Sequence, residues 1–179
     1  MTTDSNSDLC ISCRTPKIST ECEICQEPIC RNCVLHLKED TFSFMPDVPE
    51  VLKKSRYCAL CYDGQVAPEL EKYEETLAQA KNVTFLTKSF KGHIPVLKKS
   101  KVSVKVPACE DRDELILRLA FLAAREGYNA LIESEVSGKK IRNNGYQKSE
   151  WSGVGVPATI DETKLILQEQ REEMFRRGH

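Results

Sequence analysis

Eight cysteines stand in four pairs with two residues inside each: Cys10 and Cys13, Cys22 and Cys25, Cys30 and Cys33, Cys58 and Cys61. Two thiols three positions apart on a tight turn aim both sulfurs at one point, and two such turns complete a tetrahedral thiolate site of the kind that holds zinc. Four turns make two sites, so the ladder predicts two zinc ions per chain. Disulfides would use the same residues. However, the opening Met-Thr-Thr-Asp-Ser-Asn-Ser-Asp lacks the basic start and apolar stretch of a secretory signal, and a reducing compartment disfavours stable bridges. A cytoplasmic zinc protein is therefore expected. The gaps between pairs are 8, 4 and 24 residues. They allow sequential sharing (pair one with two, three with four) and interleaved sharing (one with three, two with four), and spacing alone leaves both open.

The elements that must hold these thiols are short. Charged or polar residues separate most of the ligands, and about 60 residues bury too little apolar surface to be more than marginally stable on it. A structural zinc contributes on the order of 10 kcal/mol that is also folding energy, so this half is expected to unfold without metal. Between the third and fourth pairs lie Phe42, Phe44, Met45, Val48, Val51 and Leu52, with prolines at 46 and 49. An apolar loop of that length either covers the module's small core or forms a contact surface, and packing on its own domain is the favoured expectation. His36 reads as a surface or packing histidine rather than a ninth ligand.

The order C-x2-C, then C-x2-C-x4-C-x2-C, then a final C-x2-C entered through Arg56-Tyr57-Cys58 resembles the FYVE and PHD-type cross-brace zinc fingers over residues 1–65. That resemblance implies a small treble-clef-like fold with interleaved sites, Cys10, Cys13, Cys30 and Cys33 in one and Cys22, Cys25, Cys58 and Cys61 in the other. FYVE domains that bind phosphatidylinositol 3-phosphate carry a basic, His-rich run around the third cysteine, because clustered Arg and His donors hold a phosphate. Here Glu21 and Glu23 flank Cys22 instead, and the aromatic and acidic motif before the first cysteine is missing. Membrane-lipid recognition is not expected. A RING-type ubiquitin ligase places histidine among its ligands, whereas this ladder is all cysteine.

Over 179 residues, Lys+Arg 26 against Asp+Glu 27 leaves a net charge of -1, so no whole-molecule field would hold nucleic acid or an anionic membrane. No apolar run approaches the roughly 20 residues of a membrane span. A linker helix is predicted over 66–81, with Pro68 and acids in its first turn and Leu70, Tyr73, Leu77 and Ala80 at helical spacing. The second domain, 82–179, reads as strands at Val83 to Phe90 and Lys101 to Val106, a helix opening at Asp111 and closing at Gly127, strands at Asn129 to Val136 and Tyr146 to Ile160, and a final helix from Asp161 to Arg177. Leu115, Ile116, Leu119, Leu122 and Ala123 are the expected buried face of the first of these helices. The fold class is α+β, a two-zinc finger followed by a β-β-α-β-β-α domain with an antiparallel or mixed sheet.

The run Leu122-Ala123-Ala124-Arg125-Glu126-Gly127-Tyr128-Asn129-Ala130-Leu131-Ile132, with the strand ending Trp151-Ser152-Gly153-Val154-Gly155-Val156, resembles the YbjQ-type α/β family over residues 82–162. Ring assembly in that family implies self-association. Its heavy-metal label finds little support, since Cys109 is the only cysteine of this half and His93 the histidine nearest to it in sequence.

No catalytic constellation is evident, so the chain does not read as an enzyme. Cys109 as a nucleophile would need a base and an orienting group, and Gly153-Val154-Gly155 is strand punctuation rather than a dinucleotide turn. The expected function is that of an adaptor: the finger contacts a protein partner, and the second domain is a scaffold that self-associates through an open edge at Gln147 to Ile160 bearing Trp151. The alternative is nucleic-acid binding through segment 81–105. Lys81, Lys88, Lys91, Lys98, Lys99, Lys101 and Lys105 fall there without an acid, although balancing by Glu69 to Glu75 and the lack of arginine favour a solvated face.

Overall fold

The computed structural model describes residues 9–38, 41–143 and 146–165, and the chain divides into two compact units, Met1–Glu74 and Glu75–His179. Both helices and sheets are present, in an α+β arrangement.

The first unit has little regular structure. Strands β1, Ile18–Glu21, and β2, Pro28–Cys30, form an antiparallel hairpin. Helix α1, Ala59–Cys61, runs through a π-helical turn at Tyr62–Val66 into α2, Ala67–Ala80. The buried cluster around the hairpin consists of Cys10, Cys22, Cys30 and Cys58 with one aliphatic residue, Ile29. Candidate ligands are thus most of this cluster, which is why burial alone cannot hold it. The insert packs on its own unit, as expected: Phe42 and Leu52 are buried, and the Phe42 ring meets Tyr73 edge-on at 5.1 Å. Its two ends are tied where Leu35 and Tyr57 exchange backbone hydrogen bonds of 2.9 and 3.0 Å. The fully buried Tyr57 points its hydroxyl at the carbonyl oxygens of Lys54 (2.6 Å) and Val51 (2.9 Å). Helix α2 ends one residue before its predicted limit, and the division between the units falls inside it.

The second unit contains β3 (Thr84–Thr87), β4 (Val96–Lys99), β5 (Val104–Cys109), α3 (Arg112–Arg125), β6 (Ala130–Asn143) and β7 (Tyr146–Ile160). The sheet is mixed. β3 runs parallel to β6, β6 pairs antiparallel with β7, and β4 and β5 both pair antiparallel with β7. Three strands therefore precede α3 where two were expected. β4 was missed because Val96-Leu97-Lys98-Lys99 shows no alternation and all four residues are exposed. The turn at Glu162–Lys164 stands where the last helix was to begin, and the rest of that expected helix lies outside the described residues.

The expected open edge at Gln147 to Ile160 is corrected by this topology. From Trp151 onward β7 is an inner strand: Trp151 faces Gly138 of β6 on one side and Cys109 of β5 on the other, and Val96 to Lys99 of β4 pair along Ala158 to Ile160. Trp151 lies over Gly138, where a Cβ would come within 2.8 Å of its ring.

Helix α3 starts where Asp111 Oδ1 accepts from the backbone N–H groups of Asp113 (2.7 Å) and Glu114 (2.8 Å), and Gly127 ends it with φ 78°. The capping box does not close, because Glu114 bonds Arg118 instead. The buried face is broader than the expected stripe: Ala120, Phe121 and Ala124 are buried with Leu115, Leu119 and Ala123, whereas Ile116 and Leu122 are only partly covered. Leu115 and Leu119 reach the sheet at Gly153, whose missing side chain makes room for them. On the opposite face, Leu86, Ala130, Ile132, Ala158 and Ile160 form a second cluster with Phe90, Ile94, Val156 and Leu165.

Candidate metal centres

Four local turns present the thiols, and the first two share one geometry. Arg14 N–H donates to Cys10 C=O (2.8 Å) and Cys10 N–H to Thr15 C=O (2.9 Å). One pair later, Gln26 N–H donates to Cys22 C=O (2.8 Å) and Cys22 N–H to Glu27 C=O (2.9 Å). The residue after the second cysteine is left-handed in both, with φ 60° at Arg14 and 62° at Gln26. This conformation is costly for a side-chain-bearing residue and is held by the surrounding bonds. The third pair turns on Cys33 N–H to Cys30 C=O (3.0 Å). The fourth sits at a helix start, where Cys58 caps α1 and its sulfur accepts from Cys61 N–H at 3.4 Å.

The hairpin then interleaves the pairs. Cys22 directly follows β1 and Cys30 ends β2, so the first and third pairs converge while the second meets the fourth. In each resulting group, Cys10, Cys13, Cys30, Cys33 and Cys22, Cys25, Cys58, Cys61, all four sulfurs lie within 4.8 Å of one another. Of the two pairing schemes the spacing allowed, the structure shows the interleaved one, which is compatible with a cross-brace zinc finger. Cys13 and Cys30 sulfurs are 3.6 Å apart and Cys25 and Cys58 sulfurs 3.8 Å. A tetrahedron with metal–sulfur bonds of about 2.3 Å has edges of about 3.8 Å, so the pockets have the size of a thiolate-bound ion. All nine cysteines are free of disulfides.

The electrostatics point the same way. Burial acts to raise the Cys10 and Cys22 thiols, yet backbone N–H groups turned on their sulfurs, from Cys30 and Cys13 and from Cys25 and Cys58, bring both down to about 6. Cys33 is pushed up to about 12 by the neighbouring sulfurs of Cys13 and Cys30, and Cys61 is pushed up by burial and then by Cys58. Four thiolates this close do not ionise together unless a cation replaces their protons.

His36 belongs to neither group among the described residues. Its Nδ1 donates to Ser55 C=O at 2.7 Å, a packing role. Cys109 is buried opposite Trp151, His93 is exposed before β4, and no hydrogen bond joins the two among the described residues. Two lysines of 81–105 find acids on β6: Lys88 pairs with Glu135 and Lys99 with Glu133, each at 2.6 Å, and Lys98 lies over the Tyr128 ring.

Compared with protein-family models, curated proteins and solved structures, the chain finds no match.

Sequence reasoning missed one brace beside the second centre. Glu23 Oε1 accepts from Arg56 Nε at 2.8 Å and Oε2 from Ser55 N–H at 3.0 Å, while Arg56 also reaches Thr20 Oγ1 at 2.7 Å. The alternating charges at 23 and 56 were visible, but not their meeting across 33 residues. The Ser55 N–H and the Arg56 guanidinium hold the Glu23 carboxyl below its ordinary value of 4.5. A carboxylate depressed on folding stabilises the fold above its unfolded pKa, and the contribution is lost as pH falls through the folded value. Glu23→Gln is thus expected to lower stability at pH 7, with the gap to the parent narrowing below pH 4.5. Urea titrations of the metal-saturated chain at several pH values check this, and a gap independent of pH would contradict it.

Proposed function

We propose that the chain is an adaptor in which a two-zinc module contacts a protein partner and the α/β unit serves as scaffold. The observation that carries this is the closed donor set of each centre. Four protein thiolates fill a tetrahedral ion and leave no position for water or substrate, which is the pattern of structural rather than catalytic zinc. All-sulfur donors favour zinc over magnesium or calcium. A reducing cytoplasm would keep the thiols available, and none of the helices among the described residues is long and apolar enough to cross a membrane.

Phosphatidylinositol 3-phosphate is not the ligand in this reading. Glu21 and Glu23 stand where cations would be needed, and the nearby Arg56 is engaged by Glu23 and Thr20. Self-association remains part of the proposal, but at the outer strand β4, where Leu97 is 72% exposed.

The test uses full-length, zinc-loaded chain as bait beside the Cys22→Ser variant. A partner captured by the first and lost with the second supports the proposal. Equal capture by both would place the contact on the second unit and remove the zinc module from the account.

A further inference from the structure

The hairpin of β6 and β7 is longer than the sheet it belongs to. β3 accompanies β6 only as far as Ser134, and β5 accompanies β7 only from Trp151 onward. Beyond those limits, from Gly138 to Asn143 and from Tyr146 to Glu150, the two strands pair only with each other among the described residues. The result is a two-stranded ribbon reaching past the domain. It carries Lys139, Lys140, Arg142 and Lys148, all exposed, against a single acid, Glu150.

The charge is not spread evenly. The register places Lys140 opposite Ser149, Gly138 opposite Trp151 and Val136 opposite Gly153. Alternation therefore puts Lys140 and Arg142 on one face with Ser149 and Trp151. Within the ribbon, that face holds no acid among the described residues. Glu150 stands opposite Lys139 on the other face, and Lys148 is held by Glu110. Lys140 and Arg142 make no ion pair among the described residues, in contrast to Lys88 and Lys99.

We infer that this ribbon is a nucleic-acid contact, with Lys140 and Arg142 on successive phosphates of one strand. Two residues along a strand span about 6.8 Å, close to the separation of neighbouring phosphates. A two-stranded ribbon is also of a width that a duplex major groove admits. The half-buried Trp151 ring at the root of the same face offers a surface on which an unpaired base can stack. A membrane surface fits less well, because the exposed side chains described on the ribbon, those of Lys139, Lys140, Arg142, Lys148 and Ser149, are all polar or charged and offer nothing apolar to insert. This contact goes beyond the zinc-module proposal and does not depend on it. With both in place, the chain would link a protein partner to a nucleic acid.

The test measures binding of the full-length, zinc-loaded chain to labelled duplex DNA, duplex RNA and single-stranded RNA of mixed sequence, each over a salt series. Binding that weakens with salt is expected. Lys140→Gln with Arg142→Gln should lower affinity on the order of tenfold at low salt and reduce the slope of log K against log salt by about 1.8 for a duplex, about 0.9 per phosphate contact. Both side chains are exposed, so the thermal transition should not move. The single variants serve if the double variant is unstable. The three probes separate groove binding from stacking on a single strand. No salt-dependent binding to any probe would overturn the inference. So would loss of binding in Lys101→Gln with Lys105→Gln but not in the ribbon variants. Retention on phosphatidylserine vesicles at physiological salt that the ribbon variants abolish, without nucleic-acid binding, would assign the face to lipid and likewise overturn it.

Discussion

Serine at position 22 is expected to unfold the first unit and to leave the thermal transition of the second in place. Cys22 is 1% exposed, its sulfur accepts from Cys58 N–H at 3.4 Å, and it belongs to a core whose other buried members are Cys10, Ile29, Cys30 and Cys58. Losing one of four thiolates forfeits much of a binding energy on the order of 10 kcal/mol that is at the same time folding energy. Ile29, the one aliphatic side chain buried in that cluster, cannot replace it, since a fully buried side chain of that size contributes about 1.5–3 kcal/mol. The second unit has its own clusters at α3 and at Leu86 to Ile160. Calorimetry of parent and variant should show the loss of one transition. Loss of both, or of neither, would contradict separate folding on metal and on apolar packing.

The complementary change is Leu119→Ala. Leu119 is fully buried, and its Cδ1 occupies the space above Gly153, where a Cβ would approach to 2.8 Å. Leu-to-Ala changes in cores cost about 2–5 kcal/mol, depending on how far the surroundings collapse into the gap. Gly153 has no side chain to move into it, so the cost should lie near the upper end. Gly153→Ala in the Leu119→Ala background should restore part of the loss, whereas in the parent it should destabilise by crowding Leu119 and Leu115. Urea midpoints of the four proteins check the sign reversal. Additive losses would show that the helix and strand do not meet as described.

These two sites differ in how legible they were. The cysteines declared themselves by spacing, because a C-x-x-C turn is a local structure and needs no tertiary information to be read. Which pairs share an ion was not local. It depends on a hairpin of four and three residues that turns Cys30 away from its sequence neighbour Cys25. Helix α3 was legible from Asp111 to Gly127, whereas the burial of Phe121 was not, since nine of the ten residues from Leu115 to Ala124 are apolar and no single stripe stands out. The strand at Tyr146 to Ile160 was legible as a strand, but its span from Trp151 onward was misplaced as an edge. Its Gly153 and Gly155 looked like interruptions, yet they mark close approach: a Cβ at Gly155 would meet Ser134 Oγ at 2.8 Å. β4 carried no sequence signal because both its faces are exposed, and alternation appears only where one face is buried.

The role of the first unit rests on two filled thiolate centres, and metal content measures that directly. The full-length chain, purified without chelator and analysed by elemental analysis together with native mass spectrometry, should carry two zinc ions per monomer with eight thiols deprotonated and Cys109 outside both centres. A chain holding one ion, or none with its cysteines joined as disulfides, would contradict the account.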